Sequence, residues 1–408
     1  MPFLACVCIL GTMSTSEEWS PSKVLGAISR PAELAQNARE LTNWFGGEKE
    51  LTEGSTPKIE GLTVAFAVKG TSNSTSAIVV SDQLVRNVAT KFLPGKGVVS
   101  EGKPFELKLV RVGNDGLFVG ATKLSEGDGF SFHYAIDGHQ IGNSKNLEVY
   151  TVPPEASLMP GVDPGNLEQQ PRLTSKVFGG TWHDWWVWTP KGFDPSKESN
   201  LAVFQDGQWS HNYAPVYFAN MCFKGDLPQT VVVFVTPGTF TDGKSDRSRE
   251  YDTLSDTYAR FLLEELLPPI ESKFKITQDP MRRCVAGLSS GGICAFTVAW
   301  NRPDKFGLVM SWIGSFTNIA SGESRRDGGH NYPALIRKSD PKPIRVFLQD
   351  GANDLDNIHG NWPLANREME SALKFKKYDV YAVFGNGFHS DAMGRATMAN
   401  ALRWLFPK

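Results

Sequence analysis

The sequence lacks the features that define a metal centre or a disulfide framework. It has five cysteines in 408 residues, with no C-x-x-C pair, no H-E-x-x-H string and no histidines at ligand spacing. An odd number of scattered cysteines argues against both a disulfide framework and a zinc site. We therefore expect no metal and no organic cofactor, and for Cys284 and Cys294 we favour buried thiols over a bridge.

Strong charge and long apolar segments are also missing. The formal net charge is −2 and no long basic run occurs, so the chain offers no electrostatic surface for nucleic acid or an anionic membrane. No apolar run approaches the roughly 20 residues that a transmembrane helix needs. The start, MPFLACVCILGTMS, is similar to the apolar part of a signal peptide but has no basic residue ahead of it. It is compatible with a secreted or periplasmic protein and leaves the compartment undecided.

The remaining composition and patterning predict a globular protein of two domains, because one core rarely grows past about 250 to 300 residues. Residues 1–56 are an N-terminal segment that combines the signal-like start with one helical pattern over 31–46. Short alternating strands separated by turn residues predict an immunoglobulin-like β-sandwich over 57–153. A proline-rich linker over 154–171 follows. Strands then alternate with helices over 172–408, which predicts an α/β fold with a mainly parallel sheet.

The α/β region contains a G-x-S-x-G string, Gly287-Leu288-Ser289-Ser290-Gly291. An apolar strand pattern precedes it and an Ala-rich helical pattern follows at once. In a nucleophile elbow this turn holds the serine hydroxyl exposed, while small neighbours let strand and helix approach closely. Ser289 is therefore the candidate nucleophile.

Two further strand patterns end in residues that complete a hydrolase triad. Asp354 follows PIRVFLQDGAN and His389 follows YDVYAVFGNGF. Open α/β sheets place their sites at the carboxyl ends of strands, and the chain order Ser, Asp, His is that of α/β-hydrolases. His389 would take the Ser289 proton, and Asp354 would fix the imidazole tautomer and stabilise its charged form.

Four more residues are candidates around this triad. We expect the oxyanion donors to be the Ser290 N–H, by its position in the elbow, and a donor at Gln208 in the loop after NLAVFQDG. Trp209 and His359 are the predicted substrate-binding residues, although His359 could instead fix its loop. Every proposed catalytic residue lies after the linker, so residues 1–153 are predicted to be unnecessary for the chemistry.

Alternatives stay open at this stage. Asp356 lies in the same loop as Asp354 but further from the strand, where it is freer to serve as a turn or cap residue. An acyltransferase would use the same three residues, and a carbohydrate-binding protein without catalysis would not need them. The presence of all three residues argues against the binding protein. Our leading interpretation is a serine carboxylic-ester hydrolase that acts through an acyl-enzyme.

Residues 172–408 resemble the enterochelin esterase-like group of the esterase D superfamily, which also includes feruloyl and other carbohydrate esterases. The resemblance lies in NLAVFQDGQ, in GLSSGGICAFTVAWNRPDKFG, and in the loops IRVFLQDGANDLDNIHGNW and FGNGFHSDAMG. It implies an α/β-hydrolase fold, Asp354 and His389 at the catalytic positions, and Gln208 as an oxyanion donor. It also implies an immunoglobulin-like module ahead of the catalytic domain. The expected substrates are small-molecule or carbohydrate esters of aromatic, carbohydrate-linked or siderophore type.

Overall fold

The computed structural model describes residues 18–85, 91–93, 97–99, 103–319 and 327–406, so the signal-like N-terminal stretch lies outside the described residues. The chain forms two compact units. The first comprises the described part of Met1–Leu124 together with Ser131–Lys145, and the second comprises Ser125–Phe130 together with Asn146–Lys408. The stretch 57–153, predicted as one sandwich, is thus shared between the two units.

The first unit begins with four short helices and continues with strands. The helical pattern predicted over 31–46 is split, because Asn37 at φ −108° and ψ 17° leaves the helical region between α2 and α3. The helices are α1 (Pro21–Ala27), α2 (Pro31–Gln36), α3 (Ala38–Trp44) and α4 (Glu48–Thr52). The strands are β1 (Lys58–Glu60), β2 (Thr63–Lys69), β3 (Ala77–Val85), β4 (Lys91–Leu93), β5 (Gly97–Val99), β6 (Lys103–Lys108), β7 (Val110–Val112), β8 (Leu117–Lys123), β9 (Gly129–Ile136) and β10 (His139–Glu148).

Eight of these strands form two antiparallel four-stranded sheets, ordered β1-β2-β8-β7 and β10-β9-β3-β6, and β4 pairs with β5 separately. Five successive residues of β2 are buried. Because successive side chains of a strand point to opposite faces, β2 is covered on both faces. Its small residues Ala65 and Ala67 pack with the helices, whereas Phe66 packs against Phe132 of β9 with ring centroids 5.5 Å apart. The helices therefore cover the outer face of the first sheet, a layer that the sequence patterns did not predict.

The second unit is built around an eight-stranded sheet. Its strands include β11 (Asn166–Gln169), β12 (Leu173–Thr174), β13 (Trp182–His183), β14 (Trp185–Thr189), β15 (Asn200–Phe204), β16 (Thr230–Val235), β17 (Arg283–Leu288), β18 (Leu308–Trp312), β19 (Arg345–Gly351), β20 (Asp356–Asn357), β21 (Gly360–Asn361) and β22 (Asp379–Gly385). Its helices are α5 (Gly207–Ser210), α6 (Ala214–Phe223), α7 (Arg247–Asp252), α8 (Thr257–Phe261), α9 (Pro268–Lys273), α10 (Ser290–Asn301), α11 (Tyr332–Lys338), α12 (Trp362–Phe375) and α13 (Ala392–Leu405).

The order β11-β14-β16-β15-β17-β18-β19-β22 puts β17 within the sheet, and the pairings from β16 to β22 are all parallel. Apolar clusters cover both faces: Val285 of β17 belongs to one and its neighbour Ala286 to the other. Such two-sided burial explains the continuous apolar runs of these strands. The α/β-hydrolase-type fold predicted for this region is confirmed. The carboxyl ends of β15, β17, β19 and β22 consequently lie along one edge of the sheet.

Cys284 and Cys294 are buried free thiols, as favoured from the sequence. Burial raises the pKa of both thiols, which keeps them protonated. Across the part of the chain that the structure describes, every helix is too short or too polar to cross a membrane.

Candidate active site

The turn between β17 and α10 has the geometry of a nucleophile elbow. Ser289 takes φ 57° and ψ −124°, a backbone conformation that is strained for any residue other than glycine. A Cβ at Gly287 would lie 2.4 Å from the carbonyl atoms of Gly291, so only glycine lets strand and helix approach this closely. The Ser289 N–H donates to Trp312 O at 2.9 Å and ties the turn to β18.

Ser289, His389 and Asp354 form a continuous hydrogen-bonded chain. His389 Nε2 lies 2.9 Å from Ser289 Oγ, and His389 Nδ1 lies 2.5 Å from Asp354 Oδ1. Because the carboxylate can only accept, Nδ1 carries the hydrogen and Nε2 presents its lone pair to the serine hydroxyl. The three residues predicted separately from strand ends are thus brought together in the order that general-base chemistry needs. Asp356 lies in β20 and is exposed.

A second carboxyl lies beside Asp354. Asp354 Oδ1 also accepts from the Leu355 N–H, and the side chain of Asp350 lies within hydrogen-bond reach of the Asp354 carboxyl. Burial, together with the neighbouring Asp354 carboxyl, raises the pKa of Asp350 well above its ordinary value. Two carboxyl groups in one buried place disfavour double ionisation, so the neutral form of Asp350 is favoured beside Asp354, the carboxyl that contacts His389. Nothing in the sequence patterns separated these two roles.

Two backbone N–H groups are available for an oxyanion. The Gln208 and Ser290 N–H groups donate no backbone hydrogen bond within the described residues. Asp206 precedes this loop in the left-handed region at φ 53°, and Arg247 donates to its two carboxylate oxygens at 2.7 Å each. The buried Asp206–Arg247 ion pair therefore fixes the turn that presents the Gln208 N–H.

Helix α7 supports both the loop that carries Gln208 and the elbow. Besides Arg247 it carries Tyr251, whose hydroxyl accepts from the Asp206 N–H at 3.3 Å. Burial raises the pKa of Asp252, which interacts with the Ser290 side chain, to about 6. Burial also raises the pKa of Glu250 to about 8. Glu250 Oε1 lies 3.6 Å from Nε2 of the buried His183, whose pKa burial lowers, so this pair is neutral near pH 7.

The loops of Asp354 and His389 are supported by residues from the start of β9 and the end of β10. Asn353 Nδ2 donates to Gly129 O at 3.0 Å and to Asn386 O at 2.6 Å. Ser390, directly after His389, donates its hydroxyl to Glu148 Oε1, and Tyr150 donates to Glu148 Oε2 at 3.0 Å. These contacts argue against the expectation that residues 1–153 are unnecessary for the chemistry.

The two predicted substrate-binding residues have different environments. Trp209 directly follows Gln208 on α5 and is 54% exposed. His359 is half-buried, and its Nδ1 lies 3.3 Å from Asn318 O, a contact that fixes its loop. The structure therefore leaves Trp209 free to meet a ligand and gives His359 a structural contact.

A match to the phosphate-loop pattern, GTFTDGKS over 238–245, has no phosphate-binding geometry. The Gly238 N–H donates to Glu250 Oε2, and the N–H groups of Thr239, Phe240, Gly243 and Lys244 donate to other protein atoms. The donors that would cradle a phosphate are occupied, and no helix begins at Lys244. Among the described residues, no cluster of histidine, cysteine and acidic side chains could hold a metal ion.

Comparison with known proteins shows the family of the chain. The Esterase family model, described as "Putative esterase", matches residues 184–405, more than half of the chain. The chain belongs to this esterase family. It is 24% identical over 230 residues to the iron(III) enterobactin esterase of Dickeya dadantii, a match that covers 54% of this chain and 51% of that protein. The chain thus spans about half the length of this relative.

The chain is also similar to a feruloyl esterase and to a solved esterase structure. An endo-1,4-beta-xylanase/feruloyl esterase of Xylanibacter ruminicola is 27% identical over 133 residues, which cover 33% of this chain and 15% of that protein. The crystal structure of the enterobactin esterase from Shigella flexneri aligns with a TM-score of 0.57 at 16% identity, covering 86% of this chain and 96% of that chain. The predicted resemblance to enterochelin esterase-like hydrolases is confirmed at the level of family and fold.

Proposed function

We propose that this protein is a serine carboxylic-ester hydrolase that works through an acyl-enzyme, with Ser289 as nucleophile, His389 as base and Asp354 as the orienting acid. The observation that carries the proposal is the hydrogen-bonded chain from Ser289 Oγ through His389 to Asp354 Oδ1. A serine hydroxyl becomes a useful nucleophile only beside such a base.

The geometry supports the following reaction. The Ser289 proton moves to His389 Nε2 as Oγ bonds to the ester carbonyl carbon, and the carbonyl oxygen becomes negative. The Gln208 and Ser290 N–H groups stabilise that oxyanion, and protonated His389 then returns its proton to the leaving alcohol. Water repeats the sequence and releases the acid. Asp354 keeps the imidazole in the required tautomer and offsets its positive charge throughout.

We propose substrates of the aromatic, carbohydrate-linked or siderophore ester type. The exposed indole of Trp209 follows the oxyanion residue Gln208 and offers an aromatic surface to a planar acyl or alcohol group. The relatives named as enterobactin and feruloyl esterases support the same class. The immunoglobulin-like assignment of residues 57–153 also stays a proposal, supported by the two antiparallel four-stranded sheets of the first unit. The linker over 154–171 and the domain start at 172 stay proposals as well, although β11 (Asn166–Gln169) lies in that range and pairs with β14 of the second unit.

The test is a substrate panel combined with active-site labelling. The full chain is assayed on p-nitrophenyl esters of short and long acids, methyl ferulate, acetylated sugars and catecholate esters, and its products are identified. A fluorophosphonate should modify Ser289, as located by peptide mass spectrometry, and abolish turnover. Labelling at Ser290, or full esterase activity after substitution Ser289→Ala, would refute the assignment. Transfer to added alcohol in preference to water would indicate an acyltransferase.

A further inference from the structure

The hydroxyl of Ser289 has a second partner that the triad does not use. Ser315 Oγ lies 3.2 Å from Ser289 Oγ, in the loop that follows β18, and the residue is 1% exposed. Nε1 of Trp362, the first residue of α12, donates to Ser315 Oγ at 3.2 Å. Besides His389, the Ser315 hydroxyl therefore contacts the nucleophile, and the Trp362 ring contacts Ser315.

Backbone contacts fix the position of Ser315. The Ser315 N–H donates to Ser289 O at 3.0 Å, and Asn366 Nδ2 donates to the carbonyl of the preceding residue, Gly314, at 2.9 Å. A Cβ at Gly314 would lie 2.5 Å from both Ser311 Oγ and the ring of Phe316, so the turn requires glycine there. The Ser315 hydroxyl is therefore held in one place by α12 and by the elbow itself.

The direction of these hydrogen bonds follows from the chemistry of the groups. An indole N–H can only donate, so Ser315 Oγ is the acceptor from Trp362. The Ser289 hydroxyl donates to His389 Nε2, which leaves only its oxygen lone pairs for Ser315. The Ser315 hydroxyl must then donate to Ser289 Oγ. The resulting chain, Trp362 to Ser315 to Ser289 to His389, is one in which each bond polarises the next.

We propose that Ser315 is a further catalytic residue, whose O–H donates to Ser289 Oγ and stabilises the negative charge that develops on that oxygen. During acylation the Ser289 proton goes to His389, and Oγ forms its bond to the carbonyl carbon. During deacylation that bond breaks, the electron pair returns to Oγ, and Oγ recovers a proton from His389. Ser315 keeps its own proton in both steps. Its hydrogen bond is strongest when Oγ is most negative, so it lowers both barriers.

The inference rests on the proposed esterase function, and its test separates the two. The variant Ser315→Ala is compared with wild type on a p-nitrophenyl ester, with acylation and deacylation followed separately by stopped flow. Loss of one hydrogen bond to a developing charge should lower both rate constants about tenfold and leave KM nearly unchanged. The rate of fluorophosphonate labelling should fall by a similar factor. Ser315→Thr, which keeps the hydroxyl, should recover most of the rate.

Ser311→Ala is the matched control. It removes a buried hydroxyl four residues earlier, one that has no hydrogen-bond partner among the described residues. It should keep the wild-type rate constants. Wild-type rates in Ser315→Ala would overturn the role of Ser315, and so would an equal loss in Ser311→Ala, because the effect would then be a general one of packing. Absence of wild-type labelling at Ser289 would instead refute the esterase function itself.

Discussion

The elbow that carries Ser289 and the loops that carry Asp354 and His389 are held by different kinds of structure. The elbow is fixed by its own backbone, through the close approach of Gly287 to Gly291 and the positive φ of Ser289. The two loops depend on hydrogen bonds that their own side chains donate to distant residues. Asn353 reaches Gly129, 224 positions away, and Ser390 reaches Glu148, 242 positions away.

Because of this difference, the position of the nucleophile depends on nearby residues, whereas the positions of the base and acid depend on distant ones. Substitutions far from the elbow in sequence should leave the nucleophile in place, because β17 and α10 hold it through backbone contacts. The base and acid should respond to remote substitutions, because their loops bond to groups outside the family-matched residues 184–405, namely the Glu148 carboxylate and the Gly129 carbonyl. A misplacement of about 1 Å at a catalytic group can cost on the order of 100-fold in rate.

The largest effect on the loop side should come from the acid itself. Asp354→Asn should keep the fold but lower kcat by up to about 10⁴-fold, because an amide supports the wrong imidazole tautomer and cannot offset the imidazolium charge. Steady-state kinetics on a p-nitrophenyl ester measure this loss. The exposed neighbour provides the control: Asp356→Asn should cost far less. The reverse order of loss at equal thermal stability would transfer the role to Asp356.

A smaller effect should follow from removing the remote support of the histidine loop. Glu148→Gln weakens the hydrogen bond from Ser390, so His389 should lose its fixed orientation and kcat should fall about tenfold with little change in KM. The low-field proton NMR resonance of the His389–Asp354 hydrogen bond should broaden in this variant.

The control for Glu148 is Glu126→Gln. Glu126 accepts from the backbone N–H and the hydroxyl of Thr151 rather than from Ser390. Its loss should leave both kcat and the NMR signal as in wild type. If Glu148→Gln behaves in the same way, the loop is fixed locally and the contrast with the elbow disappears.

The smallest effect on catalysis is expected from a change in the buried pair Glu250 and His183. Glu250 has a pKa of about 8 in the fold against an ordinary value of 4.5, so its contribution to stability is fully present below pH 4.5 and is lost as the pH rises through 8. Glu250→Gln is neutral at all pH values and removes this loss.

The variant should therefore gain stability over wild type between pH 5 and pH 8, by on the order of 1 to 5 kcal/mol, while kcat changes by less than about twofold. Thermal or urea unfolding at several pH values measures the difference. Burial lowers the pKa of His183, so its contribution to stability is lost as the pH falls rather than as it rises. His183 is present in both proteins, so this contribution is common to both stability curves. Parallel stability curves for the two proteins would show that Glu250 is ionised in the fold.

The sequence determined the elements whose causes are local. The G-x-S-x-G string specifies the elbow because only glycine permits the approach of Gly287 to Gly291. The apolar runs specify a sheet covered on both faces, and strand ends in a parallel sheet converge on one edge. Those regularities were enough to predict the α/β fold and to choose Ser289, Asp354 and His389.

Only the tertiary structure decided what depends on distant contacts. Ser315 and Trp362 belong to no sequence motif. Ser315 contacts Ser289, and Trp362 contacts Ser315, because α12 packs beside the loop after β18. Glu148 precedes the proline-rich stretch and looks like any strand residue until its contact with Ser390 is seen. The split of 57–153 between two units has the same origin. Periodicity reports which face of an element is buried, but the partner that covers it is fixed only when the whole chain packs.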